Sequence, residues 1–290
     1  MGSFDRSFER IENSMELDKM HQRAEETLGA DAINPDDFPR YDKAAVAADK
    51  EYVREMKEKF AAEASPEERE AKQMADVLEA IVLQFGEQGY WFGGSEEEEV
   101  TTVKTADYDD IKGGTDILVE YSRKNGGVAN LGLGIDVTYR EDLASKVERI
   151  RQEVASGCLT TLRYFYSPRR KIRGEQKEVP RVIVGVSGAH ARDLGRLWMD
   201  RQNRKLSEHP VQIIFLQEME LQLDKFLDLA ERQQHAPAAR ALADALAIVR
   251  KALADKDDFI EEHRAEIEDY RSKDAVYAAL IKYVQGIGVR

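Results

Sequence analysis

The middle of the chain contains two short apolar segments, Asp109-Asp110-Ile111-Lys112-Gly113-Gly114-Thr115-Asp116-Ile117-Leu118-Val119-Glu120 and Leu131-Gly132-Leu133-Gly134-Ile135-Asp136-Val137-Thr138-Tyr139. They predict two neighbouring β-strands, joined by a hairpin turn at Asn125-Gly126-Gly127. Asp116 precedes the first strand and Asp136 lies inside the second. Aspartate is a poor strand former, and a buried carboxylate without a partner is costly. Both acids therefore need an explanation.

Two explanations are open for this pair of acids. Carboxylates on adjacent strands can share a divalent cation, and their hard oxygen atoms suit Mg²⁺ or Mn²⁺. Alternatively, Asp116 and Asp136 are strand-end acids that are solvated by water.

Composition limits the class of protein. The chain has 290 residues, of which 42% are hydrophobic and 34% are charged, and this predicts one large α/β domain or an α/β core with a helical appendage. No apolar run reaches the length of a membrane span, and residues 1–20 do not resemble a signal peptide. The single cysteine, Cys158, excludes an intramolecular disulfide and a cysteine-cluster zinc site. We expect a cytoplasmic protein that does not bind membranes.

The net charge of −13 argues against binding to nucleic acid through bulk charge. Local basic segments remain possible contact points. The loop Arg169-Arg170-Lys171 is predicted to contact a nucleic-acid backbone, or else to be a solvated hairpin loop.

The pattern of apolar residues divides the chain into three regions. Residues 1–64 read as an arm of two helices, a docking element or a partly flexible segment. Residues 65–216 read as an α/β core that begins with a capped helix at Ser65-Pro66. Residues 217–290 read as a helical packing layer, or as a surface through which a homodimer forms.

Within the core the sequence predicts further strands, and one of them is expected to be central. The predicted segments are Tyr90–Phe92, Val100–Val103, Leu159–Tyr166, Pro180–Val186 and Val211–Leu216. The nearly continuous apolar run from Val182 to Val186 indicates the central strand.

The order of helix, strands, helix and strand, with acids at three points, resembles the PD-(D/E)XK or restriction-endonuclease-like nuclease superfamily. Glu79 lies on the helix before Gly89-Tyr90-Trp91, Asp116 closes Gly114-Thr115-Asp116, and Asp136-Val137-Thr138 stands where the superfamily has an acid-x-Lys motif. The resemblance implies a mixed central sheet flanked by helices and Mg²⁺-dependent or Mn²⁺-dependent hydrolysis of DNA or RNA. It also implies that Asp116 and Asp136 bind the metal and that Glu79 supports them.

The chain departs from this pattern at Thr138, which takes the position of the motif lysine. Lys146, on the following helix, is the candidate for a displaced lysine, and Thr138 could hydrogen-bond a metal-bound water. If no lysine reaches the site, the alternative is a catalytically degenerate nuclease fold that acts as a scaffold or protein-interaction subunit. A third possibility is an unrelated α/β protein in which the motif match is accidental.

Three other acids have two readings each. Asp109 and Asp110 are expected to be turn residues, with a role as auxiliary site acids as the alternative. Glu120 either lines the site or is an exposed glutamate at the end of a strand.

Overall fold

The computed structural model describes residues 3–94, 98–123, 127–136 and 142–288. The first part of the chain forms α1 (Ser3–Ala30), α2 (Lys43–Glu63), α3 (Pro66–Gln88), β1 (Glu98–Lys104), α4 (Asp107–Gly113), β2 (Ile117–Arg123) and β3 (Val128–Asp136). The middle part forms α5 (Asp142–Ser156), β4 (Thr160–Ser167), β5 (Ile172–Val179), β6 (Arg181–Gly185), α6 (Gly188–Met199) and α7 (Asn203–Ser207). The last part forms α8 (Val211–Arg232), α9 (Ala236–Ala254), α10 (Asp257–Glu262), α11 (Arg264–Lys273) and α12 (Ala275–Gln285).

A mixed sheet lies at the centre of the fold. Among the described residues its strand order is β1-β2-β3-β6, with β1, β2 and β3 antiparallel and β6 parallel to β3. The parallel pairing needs a long connection, and this connection contains α5 and the separate β4–β5 hairpin. The predicted mixed sheet flanked by helices is therefore confirmed.

Helix α3 begins and packs as its sequence predicts. The Ser65 hydroxyl accepts a hydrogen bond from the Glu68 N–H at 3.2 Å, and the Glu68 carboxylate accepts one from the Ser65 N–H at 2.7 Å. This reciprocal cap satisfies two backbone donors at the start of the helix. The apolar face of α3 shares the main core with the sheet residues Ile117 and Leu133.

The N-terminal arm packs against the core. Four side chains of α1 are buried in the same hydrophobic cluster as α3, namely Leu17, Met20, Ala24 and Leu28. Helix α2 contributes Val46 to a second cluster that also contains Tyr108 and Tyr164. Both helices therefore bury apolar surface that neither could bury alone.

Strand β6, which was predicted to be central, lies at the edge of the described sheet. Its residues are nevertheless buried, because α8 covers this edge. The Gln222 side chain accepts from the Ile183 N–H at 2.9 Å and donates to the Ile183 carbonyl at 2.6 Å, and Glu218 accepts from the Gly185 N–H at 3.0 Å. A helix side chain thus replaces a neighbouring strand, which is why β6 reads as central in the sequence.

We predict that Gln222→Leu lowers the free energy of unfolding by about 2–4 kcal/mol, because it leaves the buried Ile183 N–H and carbonyl without partners. Urea denaturation measures this change. Gln233→Leu, at the exposed end of the same helix, is the control and should change stability by no more than about 0.5 kcal/mol. Equal stabilities of the two variants would contradict the role given to Gln222.

Two other predicted strands are wrong, and β5 was not predicted. Residues 211–216 form the first turns of α8, where the helix is buried on all sides, and a short apolar run does not distinguish such a helix from a strand. Residues 90–92 form a turn in which the Trp91 indole N–H donates to the Leu206 carbonyl at 2.8 Å.

The C-terminal helices pack into the main core, and Asp274 connects the start of α12 to the start of α6. Asp274 caps α12 and also accepts hydrogen bonds from the Ser187 N–H and from Nδ1 of His190, both at 2.8 Å. His190 stacks on Tyr270, and His209 meets the same ring edge-on. No helix in the described ranges is long and apolar enough to cross a membrane.

His209 makes stability depend on pH. Burial lowers its pKa from 6.5 to about 4, and its Nδ1 accepts the Val211 N–H at 3.1 Å. Because the unfolded chain binds the proton more tightly, neutral His209 makes its full contribution to the free energy of unfolding above pH 6.5. This contribution is lost as the pH falls towards 4. His209→Asn keeps an acceptor for Val211, so this variant should lose about 2 kcal/mol less than wild type between pH 7 and pH 5 in urea titrations. An unchanged pH profile would contradict this assignment.

Candidate functional site

A short helix and a glycine turn bring two aspartates together at the end of the sheet. Helix α4 carries Asp110 and ends at Gly114, whose φ of +66° favours glycine. A Cβ at Gly114 would also lie 2.6 Å from a guanidinium nitrogen of Arg181. The turn then places Asp116 between two strands: its N–H donates to Leu133 at 2.9 Å, and its carbonyl accepts from the Thr105 N–H at 3.0 Å.

The side chains of Asp110 and Asp116 are joined by a hydrogen bond. Burial and the neighbouring charge of Asp116 raise the pKa of Asp110 well above its ordinary value. Two carboxylates this close cannot both ionise at little cost. A divalent cation bound to these carboxylate oxygen atoms would stabilise this arrangement.

A buried ion pair lies beside the two aspartates. Lys104, the last residue of β1, donates from Nζ to Oε1 of Glu79 on α3 at 2.6 Å, and both residues are buried. Burial raises the pKa of Glu79 to about 7, although Lys104 opposes this shift. Burial alone would lower the pKa of Lys104, but the carboxylates of Glu79, Asp110 and Asp116 outweigh it and raise that pKa. Lys104 therefore keeps its positive charge.

A second lysine extends the charged cluster along α3. Lys72 is exposed and donates to Asp76 at 2.7 Å, while Asp76 also contacts His21 of α1 at 3.1 Å. The neighbouring charges of Asp76, Asp110 and Asp116 raise the pKa of Lys72. The acids at the end of the sheet thus have two lysines near them.

The structure brings some of the predicted site residues together. Glu79 and Asp116 belong to one charged cluster, and Asp136 is the last residue of β3, the strand next to β2. The side chain of Asp136 and all of Thr138 lie outside the described residues. Lys146 lies half-buried on α5.

Two acids, Asp109 and Glu120, have a structural role that the sequence reading did not give them. Asp109 and Asp110 belong to α4 rather than to a turn, and Asp109 is buried, where it accepts the N–H groups of Arg163 and Tyr164 at 2.7 and 2.9 Å. Glu120 is fully buried rather than exposed. These acids attach the β4–β5 hairpin to the rest of the fold.

Part of the basic loop is used for this attachment. Arg170 donates to Glu120 at 2.7 Å, and Ser167 donates to the other carboxylate oxygen of Glu120 at 2.8 Å. Arg169 pairs with Glu99 of β1, and Lys171 is exposed at the tip of the hairpin. The loop Arg169-Arg170-Lys171 therefore leaves Lys171 as its most accessible charge.

We predict that Arg170→Met lowers the free energy of unfolding by about 3 kcal/mol, because it leaves the charge of Glu120 buried without a cation. Arg169→Met is the control from the same loop and should cost less than about 1 kcal/mol, since its ion pair is at the surface. Thermal or urea unfolding of the two variants measures the difference. Equal losses would show that the Arg170–Glu120 pair has no special role.

A cleft of about 610 Å³ opens beside the charged cluster, along the outer side of β1. The loop after α1, the C-terminal half of α3 and the β4–β5 hairpin form its other walls. Lys104 is one of the lining residues, together with Thr101, Gln88, Tyr166 and Arg173. The cleft has the size of typical small-molecule sites, and of the buried ion pair Lys104 lines it whereas Glu79 does not.

Where side chains are described, no group of three or more His, Cys, Asp or Glu residues has an arrangement that could hold a metal ion. The side chain of Asp136 lies outside the described residues, so this finding does not include it. Comparison of the chain with models of protein families, with curated proteins and with solved structures gave no match.

Sequence reasoning gave Asp110 only as the alternative of an auxiliary site acid, and it missed Lys72 and Lys104 as members of the cluster. Acids followed by Gly113-Gly114 could have indicated the first turn and the end of a short helix. In β1, Val100, Thr102 and Lys104 alternate onto one face, so a lysine on the buried face was a readable signal.

Proposed function

We propose that this chain is a metal-dependent nuclease of the PD-(D/E)XK type that hydrolyses phosphodiester bonds of DNA or RNA. The observation on which the proposal rests is the cluster of charged groups at the end of the sheet: Glu79 of α3 binds Lys104 of β1 at 2.6 Å, and the carboxylates of Asp110 and Asp116 act on the same lysine. Phosphodiester hydrolysis needs an activated water and cations around the phosphate oxygens, and acids of this kind supply the metal ligands.

The chain order of the elements supports the proposal. The acid-bearing helix α3 is followed by β1, the short helix α4, the antiparallel strands β2 and β3, helix α5, the β4–β5 hairpin and β6, which is parallel to β3. In the resemblance drawn from the sequence, the acids stand on the first helix, at the second strand and on the third strand. Glu79, Asp116 and the backbone of Asp136 have these positions here.

The donor set suits a hard divalent cation such as Mg²⁺ or Mn²⁺. Asp110 and Asp116 lie next to one another, and a bound cation would offset the repulsion between their carboxylates. We propose Asp116 and Asp136 as metal ligands, with Asp110 as an additional ligand and Glu79 as a support. When bound, the cation would activate a water molecule and neutralise charge on the phosphate.

The local charge balance supports an anionic substrate in spite of the net charge of −13. Lys72 and Lys104 lie near the two aspartates, and the guanidinium of Arg181 donates to the Gly114 carbonyl at 3.0 Å in the turn between them. Cations placed at the site attract a phosphodiester locally, whatever the charge elsewhere.

We predict that the wild-type protein cleaves single-stranded or double-stranded DNA, or RNA, when Mg²⁺ or Mn²⁺ is present and not in EDTA. Asp116→Asn should lower the rate about 10²–10³-fold because it removes a charged ligand and its electrostatic effect at the phosphate. Asp107→Asn, an exposed acid on α4 that pairs with Lys57, is the matched control and should keep the wild-type rate. Gel assays on single-stranded and double-stranded DNA, and on single-stranded and double-stranded RNA, measure the rates.

Cleavage at the wild-type rate by the Asp116→Asn variant would overturn the site assignment. A folded wild-type protein that cuts none of the substrates with either metal would overturn the nuclease proposal. That result would favour the catalytically degenerate scaffold, because the chain has Thr138 in place of the motif lysine.

A further inference from the structure

Lys104 is a buried cation whose position calls for a functional explanation. A buried ion pair often stabilises a protein no better than apolar side chains of the same size. The ammonium group has three N–H donors, and among the described residues Glu79 is its hydrogen-bond partner. Lys104 is also one of the residues that line the cleft along β1.

The backbone fixes Lys104 next to the proposed metal ligands. Lys104 is the register partner of Ile117, the residue directly after Asp116. The next residue, Thr105, donates its N–H to the Asp116 carbonyl at 3.0 Å, and its hydroxyl also hydrogen-bonds the Thr115 carbonyl. Strand pairing thus brings the lysine to the aspartates, and Glu79 holds its side chain from the opposite side.

A second lysine near the aspartates, Lys72, is less well placed for this purpose. Its side chain is 67% accessible and already pairs with Asp76. Lys104 combines burial, a fixed rotamer from its ion pair and access to a cleft.

We propose that Lys104 is the catalytic cation of this site: it contacts a non-bridging oxygen of the scissile phosphate, and the cleft beside β1 receives the adjoining nucleotide of the cleaved strand. This inference rests on the proposed nuclease function. It assigns to β1 the positive charge that the sequence resemblance assigns to the position of Thr138.

Lys104 acts by charge and does not transfer a proton. The attacking water forms a bond to phosphorus and loses a proton, the bond from phosphorus to the leaving oxygen breaks, and that oxygen gains a proton from solvent. The lysine remains protonated throughout and stabilises the charge that accumulates on the phosphate oxygens. Glu79 is a positioning residue, because it acts by holding the ammonium group.

The test compares Lys104→Met, Lys104→Arg and the control Lys57→Met, an exposed lysine on α2. Single-turnover cleavage is measured on a substrate that wild type cuts and on the same substrate with a methylphosphonate at the scissile position. Lys104→Met should lower the rate on the phosphate about 10²–10³-fold, and Lys104→Arg should restore part of it. Wild type should discriminate against the neutral methylphosphonate, and Lys104→Met should lose most of this discrimination, a change that a purely structural lysine would not cause.

A second comparison covers the case in which Lys104→Met does not fold. Glu79→Gln/Lys104→Gln keeps a neutral hydrogen-bonded pair, and it should cleave at least 10-fold more slowly than Glu79→Gln alone. Rates within threefold of each other in this comparison, or a folded Lys104→Met variant with the wild-type rate, would overturn the role of Lys104 while the nuclease function stands. If wild type cleaves nothing, the proposed function fails and this inference fails with it.

Discussion

The ion pair between Glu79 and Lys104 joins α3 to β1 at the end of the sheet where Asp110 and Asp116 also lie. Carboxylates in a partly buried site repel one another, and burial favours their neutral forms. Lys104 is a buried positive charge that offsets this cost. It binds Glu79 directly, and the buried guanidinium of Arg181 and the exposed Lys72 also lie near the aspartates.

The need to satisfy buried charged and polar groups also explains which side chains contact the rest of the sheet. On one side, Glu120 of β2 is buried and is neutralised by Arg170 from the β4–β5 hairpin. On the other side, the edge of β6 is completed by Gln222 of α8. In both places a polar group that the sheet cannot satisfy is satisfied by a side chain from a different part of the chain. These contacts hold β2 and β3, and with them the backbone positions of Asp116 and Asp136.

Local patterns predicted much of the fold. The cap at Ser65, the apolar face of α3 and the order of β1, β2 and β3 depend on neighbouring residues, so they were readable from the sequence. The edge position of β6 and the helical start of α8 were not readable, because burial by distant helices makes both segments uniformly apolar. Glu79 and Asp116 were found through motif spacing. Local patterns could have indicated the helix that carries Asp110 and the buried face that carries Lys104, but the meeting of these residues in one cluster depends on tertiary contacts.

The proposed nuclease depends first on whether the acids at the end of the sheet bind a divalent cation. Electron paramagnetic resonance of Mn²⁺, titrated into the wild-type protein at neutral pH, measures the free and bound ion directly. The account predicts saturable binding that Mg²⁺ displaces, that Asp116→Asn abolishes and that the exposed-acid variant Asp107→Asn leaves unchanged. Absence of binding by the folded wild-type protein, or equal binding by Asp116→Asn, would contradict it.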